Sequence, residues 1–334
     1  MTDEKIDLVY LWLDGNDEKV RNERLKWQSI ESGKSVLAQE GVCDARWREN
    51  DELRYALRGA DKFAPWINHI FIVTGFGQAP QWLDTSNPKI TIVPQESIMP
   101  PDAAPVFNSI AVENCLANIP GLSERFLYAN DDMFFGRETP TEYFFDHRGR
   151  PVVWYTTLRK RKSFVAATKM AYSEYHVSCL NSARLIKILF DKDYRAIAPS
   201  HNIEPYLKST IKKLLTCPLI DMYYQKSIRR KFRNTFDLYR WAFSLYDLAF
   251  GRAVGRKVYL PKSKKHFVFN AVHRMLGHFR DTPQFAINAK RAGFAVSKPY
   301  LFCVNDTDRT TDQDKDDNKE FLRMYFPNKS QFEK

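Results

Sequence analysis

Acidic and amide side chains gather at three places where an apolar run stops: Asp14-Gly15-Asn16-Asp17 after residues 6–13, Asn130-Asp131-Asp132 after 125–129, and Asn305-Asp306 after 301–304. In open α/β sheets, ligands bind beyond the carboxyl ends of the strands, so three such turns at strand ends converge on one rim. Carboxylates crowded together repel one another unless a cation joins them. A hard divalent ion, Mg2+ or Mn2+, with phosphate oxygens completing its shell, is the usual resolution. Each turn also has a plainer use, since Asp-Gly is a common turn dipeptide and an Asp-Asp pair can cap a helix. It is the threefold coincidence that points to a site, and acidic rims of this kind serve phosphatases and glycosyltransferases alike.

Other chemistries lack their residues. None of the seven histidines forms a His-Glu-x-x-His pair, which disfavours a zinc hydrolase. There is no Gly-x-Ser-x-Gly elbow and no glycine-rich phosphate loop, which removes serine hydrolases, P-loop NTPases and the ordinary dinucleotide fingerprint. The five cysteines are widely spaced and never in Cys-x-x-Cys, so neither a disulfide framework nor a zinc site is expected, and a reducing cytoplasm fits.

The elements that must position the acids are legible as apolar periodicity. Residues 6–13, 69–74, 90–93 and 125–129 read as buried strands stopped by Asp-Gly, Gly75, Pro94 and Asn-Asp-Asp. Between the first two, a helix begins near Asn50 as cap, with Leu53, Ala56, Leu57 and Ala60 on one face and Arg54 and Arg58 on another. An exposed helix is expected through Lys26, a further one over 108–118, and a last one from Lys319 to Tyr325. The alternation predicts an α/β fold: a Rossmann-like or GT-A-like, mostly parallel sheet flanked by helices. Residues 301–304 read as a return to that sheet.

Composition divides the chain. It has 334 residues, 44% of them hydrophobic, and 51 Lys+Arg against 40 Asp+Glu, a formal charge of +11. Residues 1–150 carry a net −8, 151–300 a net +21 and 301–334 a net −2. We read 1–150 as an α/β core, 151–298 as a basic, mostly helical insertion, and 299–334 as a return to the core bearing the Asn-Asp motif. The basic segment predicts an anionic partner such as phosphate, polysaccharide, nucleic acid or an acidic membrane face. The opening MTDEKIDL is acidic where a signal peptide is basic, and no run approaches the roughly 18 apolar residues that span a bilayer. A soluble or peripheral protein is expected.

Longer stretches match a known family. Ile6-Asp-Leu-Val-Tyr-Leu-Trp-Leu-Asp-Gly-Asn-Asp17 resembles the first conserved region of the Stealth proteins. Arg46-Trp-Arg-Glu-Asn-Asp-Glu-Leu-Arg-Tyr55, Phe63-Ala-Pro-Trp-Ile-Asn-His-Ile-Phe-Ile-Val-Thr74 and Phe107-Asn-Ser through Ile119 to Gly136 resemble its long second region. His201 lies where the third region has its histidine, and Phe302-Cys-Val-Asn-Asp306, Tyr325-Phe-Pro and Ser330-Gln-Phe-Glu333 are similar to the fourth.

The resemblance implies a sugar-1-phosphate transferase. A hexose or N-acetylhexosamine 1-phosphate would pass from a UDP-sugar to a hydroxyl of an anionic glycan acceptor, with UMP released, in capsule or exopolysaccharide synthesis. It carries functional roles onto Glu113, Asp131, Asp132, His201, Arg233 and Asn305. It places Asp14, Gly15, Asn16, Arg46 and Arg48 around the donor nucleotide, with Asp132 and Asp306 as ligands of Mg2+ or Mn2+. The general base stays open among Asp132, Glu113 and His201. Basic runs at 159–162, 229–231 and 262–265 would hold the polymer, the inner membrane leaflet or the capsule assembly machinery. Two rivals remain: a metal-dependent glycosyltransferase releasing UDP, and a nucleic-acid binder, which leaves the acidic rim without a use.

Overall fold

The computed structural model describes residues 5–34, 37, 42–157, 174–258, 266–268, 299–304 and 310–334. Its centre is a five-stranded sheet built from β1 (Ile6–Leu11), β2 (Ile70–Thr74), β3 (Ile90–Pro94), β4 (Arg125–Asn130) and β8 (Glu204–Leu207), in the order β3-β2-β1-β4-β8. The first four strands are parallel, and β8 joins β4 antiparallel with Tyr128 opposite Glu204. The expected α/β class and mostly parallel sheet are therefore present.

Side chains alternate across the sheet and meet two separate cores. Leu8, Tyr10, Ile70 and Ile72 face Leu53, Ala56, Leu57 and Ala60 of the helix Glu52–Phe63, together with Phe134, Phe302 and Phe326. Val9, Phe71, Val73 and Phe126 face the opposite core, where Cys179, Ile186, Trp241 and Leu245 come from the middle segment. A parallel sheet must be covered on both faces, and near-continuous apolar strands satisfy that. Residues 151–298 thus supply β8 and much of one core layer. They also hold β6 (Val152–Thr157), β7 (Ile197–Pro199) and β9 (Val254–Lys257), which form a sheet of their own, beside helices at Glu174–Phe190, Lys208–Leu214, Pro218–Ser227 and Trp241–Ala249.

Two local expectations are corrected. Residues 301–303 form β11 but do not rejoin the main sheet. They pair antiparallel with β5 (Met133–Phe135) and parallel with β10 (His266–Val268). A three-residue strand carries no record of its partner, and here the stacked rings of Phe134 and Phe302, 4.9 Å apart, select it. The helix after Asn50 is preceded by Asp51 in left-handed conformation at φ 65, while Asn50 donates its amide to Glu52 at 2.8 Å.

Arg54 and Arg58 share a face for a structural reason. Both guanidiniums grip Glu333, whose side chain is fully enclosed: Nε of each lies 2.7 Å from a carboxylate oxygen, and Arg58 Nη1 also donates to the Phe326 carbonyl. Burial pushes the Glu333 carboxyl up, but hydrogen bonds from Arg58 and Arg54 outweigh it and hold it at about 2. This clasp contributes stability that is complete above the ordinary carboxylate range and lost as pH falls through about 2. Glu333→Gln is expected to cost on the order of 3 kcal/mol in urea unfolding at pH 7, with the difference shrinking as pH is lowered from 4.5.

Candidate active site

The chain runs outward from β1 to β2 and β3, then returns to place β4 on the other side of β1. The switch point of the sheet therefore lies between β1 and β4, the position where open α/β sheets bind ligands. Leu11 and Asn130 are register partners at those strand ends, so the turn at Asp14 and the pair Asp131-Asp132 emerge side by side. Because β8 runs antiparallel, its beginning lies on the same rim, and His201 precedes Glu204 by as many residues as Asp131 follows Tyr128. The strand β11 also leads here: the Val304 amide donates to the Asp132 carbonyl at 2.9 Å. Asn305 and Asp306 come next in the chain and lie outside the described residues.

One side of this rim is acidic. Burial lifts the Asp131 carboxyl well above the usual range, with Glu52, Asp132 and Glu49 adding to the rise. Burial likewise pushes Asp132 up to about 7, opposed by the hydrogen bond from Cys303, and Glu49 up to about 7, with Glu52 and Asp51 adding. The Cys303 thiol donates to Asp132 Oδ2 at 3.4 Å, while Asp132 Oδ1 is buried with no partner among the described residues. An unpartnered carboxylate oxygen among like charges suits one ligand position of a hard cation. Among the described residues no group of three His, Cys, Asp or Glu side chains is close enough to hold a metal by itself.

The other side is cationic and rigid. Arg240 is buried between two carboxylates, with Nη1 2.7 Å from Glu113 Oε2 and Nε 3.0 Å from Glu204 Oε2. Glu113 accepts two further hydrogen bonds through its other oxygen, from Ser109 Oγ at 2.9 Å and Tyr128 OH at 3.1 Å, and Arg233 in turn donates to Ser109 Oγ. Burial raises the Glu113 carboxyl, yet Arg240 and Arg233 beside it bring the net below the ordinary value. His201 adopts φ 53, and its buried Nδ1 has no partner among the described residues. Burial depresses its imidazole to about 4, helped by Arg240, Arg233 and Arg46. Arg46 acts on Asp132 as well, so it stands between the acidic and cationic sides.

Residues 46–153 match the family model Stealth protein CR2, conserved region 2. The chain thus carries a conserved region of the Stealth family. It is 37% identical over 187 residues to the exopolysaccharide phosphotransferase cps2G of Lactiplantibacillus plantarum, covering 56% of this chain and 50% of that one. It is 34% identical over 317 residues to the exopolysaccharide phosphotransferase CpsY of Mycobacterium tuberculosis, covering 87% and 55%. With the capsular polysaccharide phosphotransferase fcs1 of Haemophilus influenzae it shares 26% over 323 residues, covering 96% and 84%. The chain thus spans about half the length of two of these relatives. Among solved structures it is similar to the galactosyltransferase LgtC, at 10% identity and a TM-score of 0.44 over 96% of this chain and 95% of that one.

The Stealth region supplies Arg46, Arg48, Glu113, Asp131 and Asp132, while His201 and Arg233 come from beyond it and meet it across the rim. Gly15 is needed sterically, because a Cβ there would sit 2.2 Å from the Trp47 carbonyl oxygen; this close approach seats the Asp14 turn on the Arg46–Arg48 segment. Asn16 reinforces it by donating to the Glu49 carbonyl, and its own amide is held by Asp14 Oδ1 at 2.8 Å. Asp17 caps the helix Glu18–Ser32 and takes no part in the acidic cluster. Arg48 faces Asp312 at the start of the helix Asp312–Tyr325.

Sequence reasoning missed Glu49, Glu52, Ser109, Glu204 and Arg240. Glu49 and Glu52 stand inside the quoted Arg46–Tyr55 motif, so spacing held that signal. Nothing local marks Arg240 and Glu204, 36 positions apart, as partners. The run Arg229–Lys231 is engaged internally: Arg229 pairs with Asp102, Arg230 with Asp237, and Lys231 bonds the Ala103 carbonyl. The runs at 159–162 and 262–265 lie outside the described residues.

Two measurements check the cationic side. Removing Arg240 leaves two buried carboxylates without their counter-charge, so Arg240→Met is expected to lower unfolding free energy by about 3–5 kcal/mol, with partial recovery on adding Glu204→Gln. For His201, the unfolded chain takes up a proton near pH 6.5 and the folded one only near 4, so stability falls as pH drops across that window. His201→Gln is expected to flatten urea-midpoint dependence there by about one proton.

Proposed function

We propose that this Stealth chain moves a sugar 1-phosphate from a UDP-sugar to a hydroxyl of a glycan acceptor, making a phosphodiester and releasing UMP, in capsule or exopolysaccharide synthesis. The observation that carries this reading is the meeting, at the sheet's switch point, of Asp132, one carboxylate oxygen of which has no partner among the described residues, with the charges of Arg46, Arg233 and Arg240 around His201. Phosphoryl transfer asks the protein chiefly for positioning and for positive charge around the transferred group. The names of the relatives, exopolysaccharide and capsular polysaccharide phosphotransferases, support the same class.

The residues divide the work. Arg46 and Arg233 meet the diphosphate oxygens, Arg233 being aimed by Ser109 and, behind it, Glu113. Glu113 has both oxygens engaged within the protein, which makes it a positioning residue and leaves His201 and Asp132 to handle the acceptor proton. Either can act as base: the His201 imidazole is neutral at physiological pH and its Nδ1 has no partner among the described residues, while burial pushes the Asp132 carboxyl up to about 7. Asp132, with Asp306, would hold Mg2+ or Mn2+, which when bound supplies positive charge to the diphosphate. The Asp14-Gly15-Asn16 turn, with Arg48 near it, receives the nucleotide. Association with the inner leaflet or with capsule machinery belongs to the same proposal; among the described residues no helix is long and apolar enough to cross a membrane.

The test is to incubate the protein with a panel of UDP-sugars, a capsular oligosaccharide and Mg2+, separate the released nucleotides, and examine the product by phosphorus NMR. UMP together with a diester resonance is the expected result. Release of UDP would instead identify a glycosyltransferase, and salt-sensitive nucleic-acid binding without turnover would identify the other rival. Asp132→Asn and His201→Ala are each expected to reduce transfer at least 100-fold with circular dichroism unchanged; wild-type rates would remove that residue from the site.

A further inference from the structure

The loop after β2 carries a feature that none of the assigned roles uses. Phe76 is held at φ 58 and is followed by Gly77 at φ 70. A bulky aromatic residue in the left-handed region is a genuine outlier, and such strain persists only where the surroundings impose it. Here they do: Gln78 accepts from the Asp14 amide at 3.0 Å and donates to the Asp14 carbonyl at 3.1 Å, while Thr74 Oγ1 bonds the Gln78 carbonyl at 2.9 Å. The loop is thereby clamped to the turn at the end of β1, beside the switch point.

The strained residue ends an aromatic column. Phe232 stacks on Phe107 with centroids 5.6 Å apart, and Phe107 stacks on Phe76 at the same spacing, with interplanar angles of 14° and 29°. Phe232 directly precedes Arg233, so one end of the column backs the arginine that meets phosphate and the other presents a half-buried ring two stacking distances away. A flat ring held rigidly at that remove from a phosphate-binding group suits a nucleobase, because every base has a π face to offer.

We propose that Phe76 is the platform on which the pyrimidine of the donor nucleotide stacks; this rests on the reading of the chain as a user of UDP-sugars. The Asp14 turn then lies beside the ribose and α-phosphate, and the base is recognised through its face, with the loop's strain holding the ring in place before binding.

Calorimetric titration of the full chain with UMP and with ribose 5-phosphate, which lacks the base, tests this. Phe76→Ala is expected to weaken UMP binding about tenfold, Phe76→Trp to preserve it, and ribose 5-phosphate to bind all forms equally. Phe76→Asn suits the left-handed backbone, guards against misfolding, and is expected to match Phe76→Ala. Unchanged UMP affinity in folded Phe76→Ala or Phe76→Asn overturns the assignment, as does a parallel loss of ribose 5-phosphate binding. A wild-type chain that binds no UMP overturns the donor reading itself and this inference with it.

Discussion

The site depends on one buried ionic contact, that of Arg240 with Glu113 and Glu204. Glu113 belongs to the helix Ser109–Cys115 beneath the acidic rim, and Glu204 opens β8. A guanidinium enclosed by the protein is tolerable only while both carboxylates remain ionised against it, and each carboxylate is tolerable only beside the guanidinium. The contact therefore has two states, fully made or badly broken. When made, it locks the middle segment against the sheet and sets His201, Arg233 and Ser109 in fixed relation. A looser joint would leave the cationic wall free to collapse onto the carboxylates opposite.

That opposition is the second constraint. Asp131, Asp132, Glu49 and Glu52 crowd one side of the rim, and burial with mutual repulsion raises three of their carboxyls. On the other side, burial and then three guanidiniums depress the His201 imidazole. Arg46 is felt by both. A surface that holds separated charge at close quarters is prepared for something that carries both signs, and the geometry costs stability that the clasp at Glu333 and the two-faced core supply elsewhere.

Much of the fold was legible as apolar patterning. The strands at 6–11, 70–74, 90–94 and 125–130 and the helix at 52–63 follow from short β-branched runs and an i, i+3, i+4, i+7 face, because burial on both sides of a parallel sheet leaves little room for polar residues. Acidic turns after β1 and β4 were legible for the same reason: a strand end is marked by the residues that stop it. The destination of residues 301–303 was not, since a strand of three residues pairs wherever its side chains pack. Asp17 looked like part of the first acidic turn and proved to be a helix cap, a role that the same residue type fills equally well.

The sequence by itself determined the alternating elements, the turns that end them, the family motifs and the segregation of charge, all of which are properties of neighbours along the chain. Only the tertiary structure decided that β8 enters antiparallel at the edge of the sheet, which carries His201 to the acidic rim, and that Arg240 finds Glu113 and Glu204. Those choices depend on long-range packing and on the cost of burying charge unpaired. Neither leaves a mark in local spacing, because a buried ion pair is specified by the space its two partners share and not by their separation in sequence.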